Sequence, residues 1–67
     1  MNIEQREKVI ADILLEKGET LNFWASKNGL HIRIVTDLID GNLKGTRGVP
    51  LENRQKMESA FGQIFDA

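Results

Sequence analysis

The sequence predicts an all-α fold, with one small domain of four helices spanning residues 1–67. Apolar side chains recur every three or four residues in four segments, and glycine or proline lies between those segments. No run of residues alternates convincingly between apolar and polar side chains, as a half-buried strand would. A chain of 67 residues is expected to form a single folding unit with a small core and no room for a deep cleft.

Capping signals predict where the first two helices begin. Asn2 and Gln5 have the spacing of a capping box, which predicts a first helix over residues 3–17. Its inward stripe comprises Val9, Ile10, Ile13 and Leu14. Thr20 is a suitable N-cap for a second helix over residues 21–28. The inward residues of that helix are Leu21, Trp24 and Ala25.

Two further helices are predicted in the second half of the chain. The third runs from about residue 31 to residue 40, and a loop over residues 43–48 separates it from the fourth, whose first turn accommodates Pro50. The buried face of the third helix comprises Val35, Leu38 and Ile39. Its outward face comprises Arg33, Thr36, Asp37 and Asp40, with Ile32 and Ile34 on the flanks. The fourth helix is expected to bury Met57, Ala60, Phe61 and Ile64.

The spacing of five residues indicates that the second and third helices cross tightly. Ala25 leaves room for a close approach, and Gly29, four residues later, can adopt the left-handed conformation that ends a helix. Leu30 is expected to fill the angle between the helices, with Val35 and Leu38 facing the crossing from the third helix. These features predict a helix-turn-helix and therefore DNA binding.

Charge is distributed unevenly, although the net formal charge is only -1. Residues 1–19 contain three Lys and Arg against five Asp and Glu, and residues 51–67 contain two against three. Residues 20–50 contain four basic residues against two acidic ones. The predicted helix-turn-helix therefore lies in the segment with a positive balance, as expected for a face that meets phosphate.

The composition argues against several classes of protein. The chain has no cysteine and no tyrosine, and its one histidine, His31, has no second ligand placed to join it, so neither catalysis nor a metal site is expected. No nucleotide-binding glycine motif is present, and no cofactor is expected. No apolar run approaches the length of a membrane span and no secretory leader is apparent, which predicts a cytoplasmic protein.

A helix-turn-helix would place the third helix in the major groove, where its N-terminal residues reach base edges. Arg33 is the strongest candidate, because its guanidinium can donate two hydrogen bonds to guanine; the alternative is a solvated surface arginine. Asp37 can accept a hydrogen bond from cytosine but would repel phosphate. The predicted base-reading residues are His31, Ile32, Arg33, Thr36 and Asp37.

The loop after the third helix is the second candidate contact with DNA. Lys44 and Arg47 supply positive charge, and Gly45 and Gly48 are expected to let the loop follow a curved phosphate backbone. The alternative is a plain connecting loop with solvated cations. The predicted phosphate contacts are Lys27, Lys44, Gly45, Thr46, Arg47 and Gly48.

The segment over residues 29–48 resembles small regulators encoded by Mu-like phages, in which a helix-turn-helix precedes a lysine-glycine-x-arginine-glycine loop. That loop is here Leu43-Lys44-Gly45-Thr46-Arg47-Gly48. Residues 20–45 are similar, more loosely, to Cro and lambda-like repressors. The resemblance implies a sequence-specific transcriptional regulator of a phage or mobile element, with double-stranded DNA as its partner. Asp40 and Asn42 depart from the pattern, since an asparagine and a basic residue are common at those positions, and the departure reduces attraction for phosphate.

Two expectations concern protein partners. The rival function is a protein-interaction module, such as an antirepressor or host-directed inhibitor, that docks through Ile32, Ile34 and the acidic residues. The near-neutral charge favours this alternative. Phe61 and Phe65 together exceed what a small core is expected to bury, which suggests a homodimer with its third helices about 34 Å apart on DNA.

Overall fold

Four helices account for most of the computed structural model, which describes residues 1–65. They are α1 (Ile3–Lys17), α2 (Leu21–Lys27), α3 (Ile32–Asp40) and α4 (Gly48–Phe61). No strand occurs among the described residues, so the predicted all-α class is confirmed for them. Within residues 1–65, no helix combines the length and the apolar character needed to cross a membrane.

The first two helices begin at the predicted capping residues. The Asn2 side chain accepts a hydrogen bond from the Gln5 backbone N–H at 2.8 Å, and Gln5 Oε1 accepts from the Asn2 N–H at 3.0 Å. The Thr20 hydroxyl accepts from the Phe23 N–H at 3.1 Å. These bonds satisfy N–H groups that the first turn of a helix leaves without partners. The capping box and the Thr20 cap are therefore confirmed.

A turn over residues 28–31 joins α2 to α3. Gly29 has a φ of +71°, in the left-handed region that glycine adopts at little cost. The Leu30 N–H donates to the Ala25 carbonyl at 2.8 Å and so closes the end of α2. Asn28 is the C-cap, so α2 ends one residue before the predicted boundary.

The core is built around α3, which packs against each of the other three helices. Its Val35 and Leu38 are fully buried, as predicted. Trp24 of α2 packs against Phe61 of α4 with 4.7 Å between ring centroids, so the tryptophan belongs to the core. The buried apolar residues are Ile10, Leu14, Trp24, Ala25, Val35, Leu38, Ile39, Met57, Phe61 and Ile64.

The fourth helix differs from its prediction at both ends. It begins at Gly48, which the sequence places in the preceding loop, and it ends at Phe61. Ile64 is buried as predicted, but it lies beyond the helix. Helical spacing does not make this distinction, because Ile64 has the i+3 spacing from Phe61 that a continuing helix would give, and it is buried although the helix has ended.

Arg6 is a buried cation that the apolar pattern of α1 does not indicate. Its Nε donates to the Ile64 carbonyl at 2.9 Å, and its Nη1 donates to the Ile39 carbonyl at 2.6 Å. The Ile39 carbonyl lies in the last turn of α3, where a helix has no donors of its own. One side chain therefore joins α1, the end of α3 and the segment after α4.

Phe65 lies against two guanidinium groups. The Arg6 and Arg54 guanidinium carbons lie 4.9 Å and 5.5 Å from the centroid of its ring, within the range of cation–π attraction. Phe61 is buried in the core. A single copy therefore accommodates both phenylalanines. The homodimer remains a prediction, but these two residues do not support it.

Candidate functional site

The exposed face of α3 carries one cation and two carboxylates. The Arg33 side chain is 86% exposed, and its Nε lies 3.8 Å from a carboxylate oxygen of Asp37, whose side chain is 29% exposed. Asp40 is also exposed, one turn further along the helix. The outward orientation of Arg33 and Asp40 is as predicted, whereas Asp37 is half-buried. Arg33 therefore faces solvent, with its charge partly balanced by Asp37 on the same helix.

Thr36 does not belong to the exposed face. It is half-buried, and its hydroxyl lies 3.0 Å from the carbonyl oxygens of Ile32 and Arg33, to which it donates. Its side chain lines a groove that α3 forms with α1. The prediction that Thr36 points outward is therefore wrong, because the crossing of α1 and α3 turns this flank of the helix inward.

The N-terminus of α3 is exposed and has no side-chain cap. His31 occupies the N-cap position without making a capping hydrogen bond, and the first turn of α3 contains no acidic residue. Ile32 is half-buried and packs against the core, as Ile34 does on the other flank. The two isoleucines are therefore only partly exposed. The uncapped N–H groups leave this end of α3 electrostatically positive.

The loop after α3 is fixed by the structure on both sides. The backbone N–H groups of Asn42 and Leu43 donate to the Asp37 carbonyl at 2.9 Å and 3.1 Å, and Arg54 Nη1 donates to the Lys44 carbonyl at 3.2 Å. Gly45 is buried. The expectation that Gly45 gives the loop flexibility is wrong, because its backbone packs tightly into the fold.

The cations of this loop remain exposed and lie next to the start of α4. Lys44, Thr46 and Arg47 are exposed, and Arg47 is the N-cap of α4 without a side-chain capping bond. Val49, in the first turn of α4, lines a groove together with Gly29 of the turn between α2 and α3. The start of α4 therefore lies near the chain segment that leads into α3.

Lys27 and Gly48 have structural surroundings that the sequence does not reveal. Lys27 pairs with the Glu19 carboxylate, and its Nζ lies 5.7 Å from the centroid of the Phe23 ring. Gly48 is the first residue of α4 and has a φ of +66°. Lys27 is therefore already engaged in an ion pair, whereas Gly48 shapes the entry into α4.

Two polar residues of α2 that the sequence does not single out lie beside the candidate site. Asn22 and Ser26 are exposed and line a shallow groove with His31 and Ile32. Their spacing of four residues places them on one face of α2, opposite the apolar positions. That spacing could have been used to predict an exposed polar face on α2. They extend the polar surface at the start of α3 onto the preceding helix.

Comparison with known proteins does not assign the chain to a class. No protein-family model matches it, and neither a curated protein nor a solved structure does.

Proposed function

We propose that the protein is a sequence-specific DNA-binding regulator of transcription, in which α2 and α3 act as a helix-turn-helix on double-stranded DNA. The observation that carries the proposal is the contrast between two faces of α3. Val35 and Leu38 fix one face in the core, while Arg33 extends into solvent from the first turn on the other. A helix held in this way can present its N-terminal side chains to the major groove without losing its own packing.

Contacts with phosphate are assigned in this proposal to the loop and the start of α4. Lys44 and Arg47 are exposed, and Arg47 precedes a helix whose first N–H groups have no side-chain cap. Such groups and the helix dipole attract anions, so backbone phosphates would be stabilised there. Phosphate contacts position a protein on the duplex, and Arg33 would then supply base discrimination by pairing with guanine.

A titration of isotope-labelled protein with a mixed-sequence duplex tests DNA binding directly. At about 50 mM salt the electrostatic part of binding is large, so even weak contact should be detected. We expect amide shifts at residues 31–35 and 44–48, with smaller shifts at Asn22 and Ser26. A spectrum that does not change on addition of duplex at this salt concentration would contradict the proposal.

Neutralising the loop cations should reduce the salt dependence of binding. In the double variant Lys44→Gln/Arg47→Gln, we expect the slope of log K against log salt to fall by about two, because each lost phosphate contact removes about one. Binding isotherms at several salt concentrations measure this slope. The control is Lys8→Gln/Lys17→Gln, which removes the same charge from α1. Equal slopes for the two double variants would show that the loop makes no specific contact with phosphate.

Removing the carboxylate beside Arg33 should strengthen binding to DNA. Asp37→Asn removes a charge that pairs with Arg33 and repels phosphate, so we expect affinity for a mixed-sequence duplex to rise about two- to tenfold at low salt. Fluorescence anisotropy with a labelled duplex measures the change. Asp12→Asn is the matched control, since Asp12 pairs with Lys8 on α1 at 3.1 Å. An equal gain from both variants would assign the effect to net charge rather than to the face of α3.

A further inference from the structure

A second surface, separate from the start of α3, has the properties of a protein-docking groove. It lies where α1 faces α3 and the beginning of α2, and its volume is about 510 Å³. Its floor and walls are mainly aliphatic and include Leu14, Leu15, Leu21 and Ile39. Leu15 is 80% exposed, so the groove is open along α1. Leu15 extends the aliphatic lining of the groove to the surface, and a contiguous exposed apolar patch is typical of a surface that another chain covers.

The edges of this groove are acidic. Glu7 lines it from the first half of α1, and Asp40 lines it from the end of α3. Both residues are exposed, and no cationic side chain within residues 1–65 pairs with either of them. Glu19 also lines the groove; its Oε2 pairs with Lys27, and its Oε1 is buried without a hydrogen-bond partner among the described residues. The groove therefore combines an apolar floor with carboxylates that favour a cationic partner.

We infer that this groove binds an amphipathic helix of another protein, one whose leucine-rich face is flanked by lysine or arginine. From Glu7 to Leu15 the lining follows nine residues of α1, whose first and last lie about 12 Å apart along the helix axis at the rise of an α-helix. That length matches two turns of an incoming helix, which would insert apolar side chains at positions i, i+4 and i+7. Its basic residues would then meet Glu7 and Asp40 at the edges.

The acidic edges disfavour the other occupants. A second copy bound symmetrically would bring the same surface of both chains together, so Glu7 and Asp40 would face like charges. DNA phosphates and anionic lipids would be repelled in the same way. Charge complementarity therefore selects a basic helix from a different protein.

Two designed peptides test this inference. Both have leucine at i, i+4 and i+7, and the flanking positions are lysine in one and glutamate in the other. Titration of labelled protein should show that the lysine peptide shifts amides of residues 7–15 and 39–40 and binds at least about tenfold more tightly than the glutamate peptide. Equal binding of the two peptides, no binding at millimolar peptide, or shifts confined to other helices would overturn the inference.

Variants of the groove separate its charge from its apolar floor. Glu7→Lys/Asp40→Lys should weaken the lysine peptide at least about fivefold, whereas Glu16→Lys/Glu52→Lys makes the same charge change outside the groove lining and should have little effect. Leu15→Ala should also weaken binding, because its exposed side chain supplies apolar contact. A concentration-dependent dimer in sedimentation equilibrium, with broadening at residues 7–15, would instead identify a second copy as the occupant and overturn the inference.

Discussion

Replacing Arg6 with methionine is expected to lower the free energy of unfolding by about 3 kcal/mol. Methionine keeps most of the aliphatic stem but donates no hydrogen bond. The carbonyls of Ile64 and Ile39, which now accept from Arg6 at 2.9 Å and 2.6 Å, would lose a charged donor in a buried position. The melting temperature of a domain this small should fall by about 10–20 °C.

The size of this effect follows from the environment of the guanidinium. Arg6 is 8% exposed, and its neighbours at hydrogen-bonding distance are carbonyl oxygens near the end of α3 and after the end of α4. A positive charge at the C-terminal end of α3 is also favourable because the helix dipole places negative charge there. The methionine variant would lose both interactions, and Phe65 would keep only one of its two cation contacts, the one with Arg54.

Thermal and urea denaturation, followed by circular dichroism, measure the change. The matched control is Lys8→Met on the same helix, where the side chain is 75% exposed and pairs with Asp12. We expect the control to change stability by less than about 0.5 kcal/mol, because exposed ion pairs contribute little. Equal stability of the Arg6 variant and the parent protein would show that a methionine packs there as favourably as the guanidinium.

Local signals in the sequence were sufficient to predict the helices and most of the core. The capping box of Asn2 and Gln5 and the N-cap of Thr20 depend on residues three positions apart, so their partners are known before the fold is known. The apolar spacing of Val35 and Leu38 likewise fixes the buried face of α3. Helix boundaries and the buried face of a helix can be predicted when the residues that determine them lie within that helix.

Long-range contacts account for the residues that were misplaced or missed. Arg6 bonds to Ile64, 58 positions away, and no local pattern reveals such a partner. Thr36 lies on the polar side of α3, yet its side chain lines a groove because α1 packs beside that side of the helix. Lys27 forms an ion pair with Glu19, which lies in the turn between α1 and α2. Within the candidate site, the prediction of solvent exposure is correct for Arg33 and for the loop cations Lys44 and Arg47, because no other element covers them.

Gly45→Ala is expected to lower the free energy of unfolding by about 2–3 kcal/mol. Gly45 has a φ of +68°, where an alanine side chain is strained, and a Cβ there would lie 2.9 Å from Leu38 Cδ2. It would also lie 3.1 Å and 3.2 Å from Cδ and Cβ of Arg54. Leu38 is fully buried, so it has no free space into which to retreat.

Gly41→Ala isolates the steric part of this cost. Gly41 also has a positive φ, +84°, but an added Cβ would have no neighbour within 4 Å among the described residues. We therefore expect Gly41→Ala to cost only about 1 kcal/mol, the penalty of the backbone conformation. Urea denaturation of the two variants gives the difference, and equal losses would show that Leu38 and Arg54 yield without penalty. A larger loss of unfolding free energy for Gly45→Ala than for Gly41→Ala would mean that Gly45 packs tightly against the buried face of α3. That packing, rather than a flexible glycine, would then fix the position of the exposed Lys44 and Arg47.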